Sequence, residues 1–169
     1  SKSHMKFVFT FLFTCFSTIL IAQTTTNSAT IKKSLEKKSQ MIQTSLVKNI
    51  AFTNIGPTVM SGRVADIAVN PENPTEFYVG YASGGLWYTN NNGTTFKPIL
   101  DNSPTQNIGD IAVDWYTGTI WVGTGEKNSS RSSYAGIGVL KSLDKGETWN
   151  NVGLRDSHHI SRILINPNN

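Results

Sequence analysis

Four residues of this sequence have side chains suited to binding a polar ligand: Arg63, Glu126, Arg131 and Tyr134. The last three belong to an insertion from Thr124 to Gly138, and long loops between strands commonly carry binding residues. The four side chains are therefore predicted to line a groove. The alternative, which we favour, is that Glu126 and Arg131 pair with each other and only order the loop.

A second group of reactive side chains, Asp156, Ser157, His158 and His159, contains the residue types of a hydrolase triad. Residues adjacent in sequence do not usually reach one another in the geometry of nucleophile, base and orienting acid. The two histidines also lack a third metal ligand at a recognisable spacing. The sequence thus predicts no catalytic residue, no metal site and no cofactor in this part of the chain.

The elements that must position these side chains repeat along the chain. Three similar apolar segments begin at Val64, Ile108 and Ile160, and each ends in Asn or Asp. In the first two units a second, a third and a fourth short strand are predicted to follow, with Gly, Asn and Pro between them. Four short strands in a unit of this length are typical of a β-propeller blade. We therefore predict an all-β fold with two blades of four antiparallel strands and the first strand of a third, in an incomplete ring that is part of a longer protein.

Between the third and fourth strands of each unit the sequence predicts a tight hairpin. The segment from Ser142 to Trp149 fits the Asp-box pattern Ser-x-Asp-x-Gly-x-Thr-Trp, and the segment from Thr89 to Phe96 is a degenerate copy. Glycine supplies the positive φ of the turn, and the Asp or Asn side chain accepts hydrogen bonds from the turn amides. These residues are predicted to be structural: Asn91, Gly93, Phe96, Ser142, Asp144, Gly146, Thr148 and Trp149.

The segment from Ala82 to Thr89, the segment from Gly123 to Tyr134 and the Asp-box together resemble sortilin-type propellers with Asp-box (BNR) repeats. The resemblance covers about residues 50–169 and implies an exported bacterial protein of a family often labelled glycosyl hydrolase-like. Xyloglucanase-like relatives carry a catalytic Asp before the Gly-Gly of the first blade, where this chain has Ala82. Sialidase-like relatives have a Phe/Tyr-Arg-Ile-Pro motif, of which only Arg63 is present here.

The amino-terminal part of the sequence has a different character. Residues 1–4 precede Met5 and are treated as an artificial extension, and residues 5–23 form a short apolar run that predicts a cleavable signal peptide, which would remove the single cysteine, Cys15. Residues 24–49 are predicted to be a flexible spacer and a short basic helix, which could act as a latch on the propeller. Residues 50–169 are the predicted partial propeller. The net charge of +4 lies mostly before that domain, so a nucleic-acid partner is not predicted.

These observations favour an exported recognition or scaffold module, located in the bacterial envelope or outside the cell, that binds a protein or a glycan. No stable membrane span is expected after signal cleavage. The alternative is the amino-terminal part of a glycoside hydrolase whose catalytic carboxylates lie in other blades.

Overall fold

The computed structural model describes residues 26–51, 62–128 and 133–166. The predicted signal peptide and Arg131 lie outside these ranges. Helix α1 spans Ser28–Thr44. The side chain of Asn27 accepts a hydrogen bond from the amide of Thr30 (2.8 Å), which caps the helix. No helix among these residues is long and apolar enough to cross a membrane.

Two four-stranded antiparallel sheets follow the helix, each with its strands in chain order. The first sheet contains β1 (Val64–Val69), β2 (Phe77–Tyr81), β3 (Gly85–Thr89) and β4 (Lys97–Pro98), and the second contains β5 (Ile108–Asp114), β6 (Thr119–Thr124), β7 (Val139–Ser142) and β8 (Asn150–Gly153). This confirms the predicted mostly β architecture of two four-stranded propeller blades.

The hydrophobic core lies between the two sheets. Gly80 of β2 leaves room for the second sheet, because a Cβ built there would lie 3.1 Å from the side chain of Ile108 and 3.3 Å from that of Ile111. Tyr78 packs on Trp115 with ring centroids 5.3 Å apart. The cluster of buried core residues comprises Tyr78, Leu86, Ile99, Leu100, Ile108, Ile111, Ile120, Val122 and Leu140. The apolar positions of the repeat therefore form one shared interior.

Antiparallel pairing gives the sheets two distinct ends. The start of the first strand, the end of the second and the start of the third lie at one end of each sheet. We call this end the loop face; its described residues are 62–63, 82–84, 106–107, 124–128, 133–138 and 155–159. The opposite end, the turn end, carries residues 70–76, 90–96, 114–118 and 143–149. The candidate ligand residues Arg63, Glu126 and Tyr134 thus lie on the loop face and the Asp-box turns on the turn end.

The segment expected to begin a third unit packs against the second sheet, but residues 160–166 form no β-ladder. The amide of Ile160 donates to the carbonyl of Thr124 (3.1 Å), much as the amide of Ile108 donates to that of Ala82 (3.2 Å). A Cβ on Gly123 would meet the side chain of Ile160. The third segment therefore sits on the second sheet as the second sheet sits on the first.

The hairpin from Ser142 to Trp149 is held by its own side chains. The Ser142 hydroxyl donates to Asp144 Oδ1 (2.7 Å) and accepts from the amide of Gly146 (2.8 Å). The same carboxylate accepts from the amide (2.9 Å) and the hydroxyl (2.5 Å) of Thr148. Trp149 Nε1 donates to the carbonyl of Ile99 in the first sheet (2.8 Å), so this hairpin also links the two sheets.

The degenerate hairpin uses the same scheme with different residues. Thr89 stands in for the serine, since its hydroxyl accepts from the amide of Gly93 (3.0 Å) and donates to Asn91 Oδ1 (2.9 Å). Asn91 also accepts from the amide of Thr95 (3.0 Å). Besides the expected glycines, Asn92 and Lys145 adopt positive φ angles of 58° and 59°. The turn therefore places two consecutive residues in the left-handed region, of which the sequence predicted only the glycine.

Candidate ligand-binding loop face

An ion pair between the two sheets occupies the loop face. Arg63, directly before β1, donates to Glu126 Oε1 through Nε (2.8 Å) and through Nη2 (2.6 Å), and Nη2 also contacts Oε2 (2.5 Å). The side chain of Glu126 is completely buried, whereas that of Arg63 is 46% exposed. The hydrogen bonds to Glu126 raise the pKa of the guanidinium. The two residues that we predicted to share a groove are thus brought together, as a charge-assisted pair.

From sequence we favoured a pair between Glu126 and Arg131, and this stays a prediction because Arg131 lies outside the described residues. Among the described residues, Glu126 turns toward the neighbouring sheet. The cause is the backbone of the preceding residues. Gly125 has φ +87°, and a Cβ there would overlap the carbonyl oxygen of His158. Only glycine permits this close approach, which directs the next side chain into the seam between the sheets.

Thr124 closes the base of the insertion. Its buried hydroxyl donates to the carbonyl of Gly138 (2.6 Å) and accepts from the amide of Ile137 (2.7 Å). The amide of Gly136 in turn donates to the carbonyl of His158 (2.7 Å). The described ends of the insertion are therefore fixed to the sheet and to the loop before the third segment.

Tyr134 is an exposed aromatic side chain of this face, with 47% of its surface accessible. Its carbonyl accepts from the amide of Glu126 (3.1 Å), which fixes its backbone next to the ion pair. Its phenol contributes to the raised pKa of Arg63, after the larger effect of Glu126. An aromatic ring with a polar tip thus belongs to the same face as a partly exposed guanidinium.

A second buried carboxylate, Asp110, was not singled out from the sequence. It is 1% exposed and accepts from the amide of Ile163 (2.7 Å) and from Lys127 Nζ (3.3 Å). The corresponding residue of the first sheet, Asp66, accepts from the amide of Ile111 (3.1 Å). Asp110 could have been identified from the repeat, because both aspartates occupy the third position of an aligned first strand.

The residues from Asp156 to His159 each contact a different partner. The carboxylate of Asp156 accepts from the amide of Ser28 at the start of α1 (3.1 Å), and hydrogen bonding by the Ser28 side chain, followed by that of its amide, lowers the pKa of that carboxyl. Ser157 donates its amide to the carbonyl of Leu154 (2.8 Å), and His158 accepts through its backbone. These contacts bring α1 to the loop face, while the latch role of the helix stays a prediction.

The position that would hold a catalytic carboxylate in xyloglucanase-like relatives is apolar and buried here. Ala82 is 1% exposed, its amide donates to the carbonyl of Arg63 (2.8 Å) and its carbonyl accepts from Ile108. Within the described ranges no three His, Cys, Asp or Glu residues are placed to hold a metal ion. The groups that the face offers include the Arg63 guanidinium for hydrogen bonding and the Tyr134 ring for aromatic contact.

No family model and no curated protein matches this sequence. Among solved structures, the chain is similar to the GH74 xyloglucanase from Xanthomonas campestris, with 16% identity and a TM-score of 0.40 over 52% of this chain and 15% of that one. It is also similar to the GH74 enzyme from Niastella koreensis (22% identity, TM-score 0.41, 54% and 14% covered) and to an ancestral GH74 enzyme (24%, 0.42, 52% and 12%). The chain thus spans about one seventh of the length of these enzymes.

Proposed function

We propose that this chain is part of an exported recognition module whose loop face binds a glycan or a protein. One observation carries the proposal: the carboxylate of Glu126 is buried, and both of its oxygens are bonded to Arg63. A glycosidase of the usual kind needs two carboxyl groups flanking the scissile bond, roughly 5 to 9.5 Å apart. Glu126 has no access to a substrate, and Ala82 supplies no carboxylate.

The exposed groups of the loop face are those used in recognition. Tyr134 offers a flat apolar ring with a hydroxyl, and such side chains add contact area at a low entropic cost. The adjacent Arg63 guanidinium is held rigidly by Glu126, so less conformational entropy is lost when a ligand accepts its hydrogen bonds. Both sugar hydroxyls and peptide carbonyls are suitable acceptors for these donors.

The proposal includes membership of the Asp-box propellers. Its support is the hairpin from Ser142 to Trp149, in which every defined position of the pattern makes a contact that the turn requires. It also includes export, supported by the apolar run after Met5. Amino-terminal sequencing of the mature protein from the envelope or the medium is expected to give a start at Gln23 or Thr24, and a start at Met5 would contradict export.

The test of binding is a glycan and peptide array probed with the intact protein and with Tyr134→Ala. We expect the variant to lose most of the signal on the bound ligand. Tyr116→Ala is the matched control, because Tyr116 is 98% exposed and lies at the turn end. Equal binding by the parent and Tyr134→Ala would contradict the proposal.

The same material should be assayed for hydrolysis of xyloglucan, the substrate class named by one of the similar structures. Turnover by the intact protein would favour the alternative, in which catalytic carboxylates are supplied by other parts of a longer chain. Binding without turnover supports the recognition module.

A further inference from the structure

Lys127 links the insertion to the seam between the second sheet and the third segment. Its ammonium group donates to Asp110 Oδ1 (3.3 Å) and to the carbonyl of Ser161 (2.8 Å). The other oxygen of Asp110 accepts from the amide of Ile163 (2.7 Å). One buried carboxylate therefore binds both the residue that follows Glu126 and the backbone of the third segment.

The first sheet contains an equivalent aspartate, Asp66, with which the contacts of Asp110 can be compared. Asp66 occupies the same position and accepts from the amide of Ile111, but its second oxygen accepts from the amide of Ile67 (2.9 Å). The aspartate-to-amide contact across the seam is thus common to both sheets. The lysine that ties a loop to it is specific to the sheet that carries the insertion.

The energetic case follows from burial. The Asp110 side chain is 1% exposed and that of Lys127 29% exposed, so salt screens this partly buried pair less than a surface pair. Arg162 adds a weaker contact at 4.0 Å, with a side chain that is 68% exposed. A buried carboxylate needs such partners, because removing a hydrogen-bonded charge partner leaves the desolvation cost unrelieved.

We propose that Asp110 is a positioning residue of the loop face: through Lys127 it fixes the base of the insertion, and with it the Glu126 and Tyr134 backbone, to the third segment. Glu126 directly precedes Lys127 in the sequence, and its amide donates to the carbonyl of Tyr134. This contact is the part of the loop face that the Asp110–Lys127 pair fixes. The inference rests on the proposed function only where ligand binding is the readout.

The test is amide hydrogen exchange in the intact protein, read at Glu126 and Gly136. Their amides donate to Tyr134 and His158 within the base of the insertion. Asp110→Asn and Lys127→Met are each expected to speed exchange at both amides on the order of tenfold, the factor that one lost hydrogen bond to a charged group gives. The double variant should exchange no faster than either single one. Lys127→Met keeps the apolar stem and decides the test alone if Asp110→Asn does not fold.

Asp66→Asn is the matched control. It should speed exchange at Ile111 and leave Glu126 and Gly136 unchanged. Equal acceleration of the insertion amides by Asp66→Asn, or no acceleration by Lys127→Met, would overturn the proposal. Ligand binding separates the two hypotheses: faster exchange in Lys127→Met with unchanged binding supports the positioning role and contradicts the loop face as the binding surface.

Discussion

The guanidinium of Arg63, at the start of the first sheet, binds both carboxylate oxygens of Glu126, at the end of the second strand of the second sheet. The two residues are 63 positions apart in the chain. The bond crosses the seam between the sheets at the loop face, and its acidic partner has no contact with solvent. The Arg63–Glu126 ion pair therefore contributes both to the packing of the two sheets and to the proposed binding surface.

Because Glu126 is buried and Arg63 is partly exposed, alanine substitutions of the two residues should destabilise the protein to different extents. Arg63→Ala leaves the Glu126 carboxylate buried without its partner among the described residues, and breaking a typical buried pair costs about 3 to 5 kcal/mol. Glu126→Ala leaves a guanidinium that can turn to water, so a smaller loss is expected. Urea unfolding of both variants measures the difference.

The comparison of the two variants provides the check. A loss in Arg63→Ala equal to that in Glu126→Ala would mean that the Glu126 carboxylate finds another partner.

Asp144 should give the protein an acid-labile contribution to stability. Hydrogen bonds from Thr148 and Ser142 lower the pKa of this carboxyl to about 2. A folded-state pKa below the unfolded value stabilises the protein above the unfolded pKa, and the contribution disappears as the pH falls toward 2. The denaturant midpoint of the parent should fall over this range.

Asp144→Asn should flatten that part of the pH profile, since the amide keeps the acceptor oxygen but does not titrate. Asn91 occupies the same position in the other hairpin and already contacts Thr89 and Thr95 in this way. The converse variant, Asn91→Asp, should steepen the acid-side loss. Unchanged pH profiles of stability in both variants would contradict the assignment of the acid-side loss to Asp144.

Two glycines with positive φ should respond very differently to alanine. At Gly125 a Cβ would overlap the His158 carbonyl, whereas at Gly153, with φ +139°, nothing lies within 4 Å. Gly153→Ala should cost about 1 to 2 kcal/mol through backbone strain alone. Gly125→Ala should cost more than about 4 kcal/mol or prevent folding, since backbone must move. Thermal unfolding compares the two, and equal losses would show that the approach of His158 is not tight.

Stability should also fall at alkaline pH through Tyr88. Burial, together with the hydrogen bond to Glu76 (2.5 Å), raises the pKa of its phenol to about 12. A raised folded-state pKa contributes stability below the unfolded value near 10, and this is lost as the pH rises toward 12. Tyr88→Phe should reduce that dependence in pH-resolved unfolding, and the remainder is expected from Tyr78, whose pKa burial also raises. An undiminished alkaline loss in Tyr88→Phe would assign the loss to groups other than Tyr88.

The strands of the two sheets could be predicted from the repeat, whereas the pairing of Arg63 with Glu126 could not. Strands β1 and β5 begin at the predicted Val64 and Ile108, because alternating apolar residues and turn glycines determine strands locally. The partner of Glu126 depends on how one sheet packs on the next, and a separation of 63 residues has no local signal. The nearer Arg131 was therefore the natural expectation.

Asp110 shows a second limit of prediction from the sequence. Its occurrence at the same repeat position as Asp66 was visible, but an aspartate within an apolar strand can face solvent or accept a hydrogen bond from a neighbouring chain. Only the packing of the third segment, which brings the Ile163 amide to the carboxylate, decides between them.

The separation of Tyr116 from Tyr134 has a practical consequence. Tyr116 protrudes from the turn between β5 and β6, at the end of the sheets remote from the insertion. A single cysteine introduced there would allow a dye or a sensor chip to be attached without obstructing the opposite end, and the same molecule could then be immobilised in one orientation for affinity measurements.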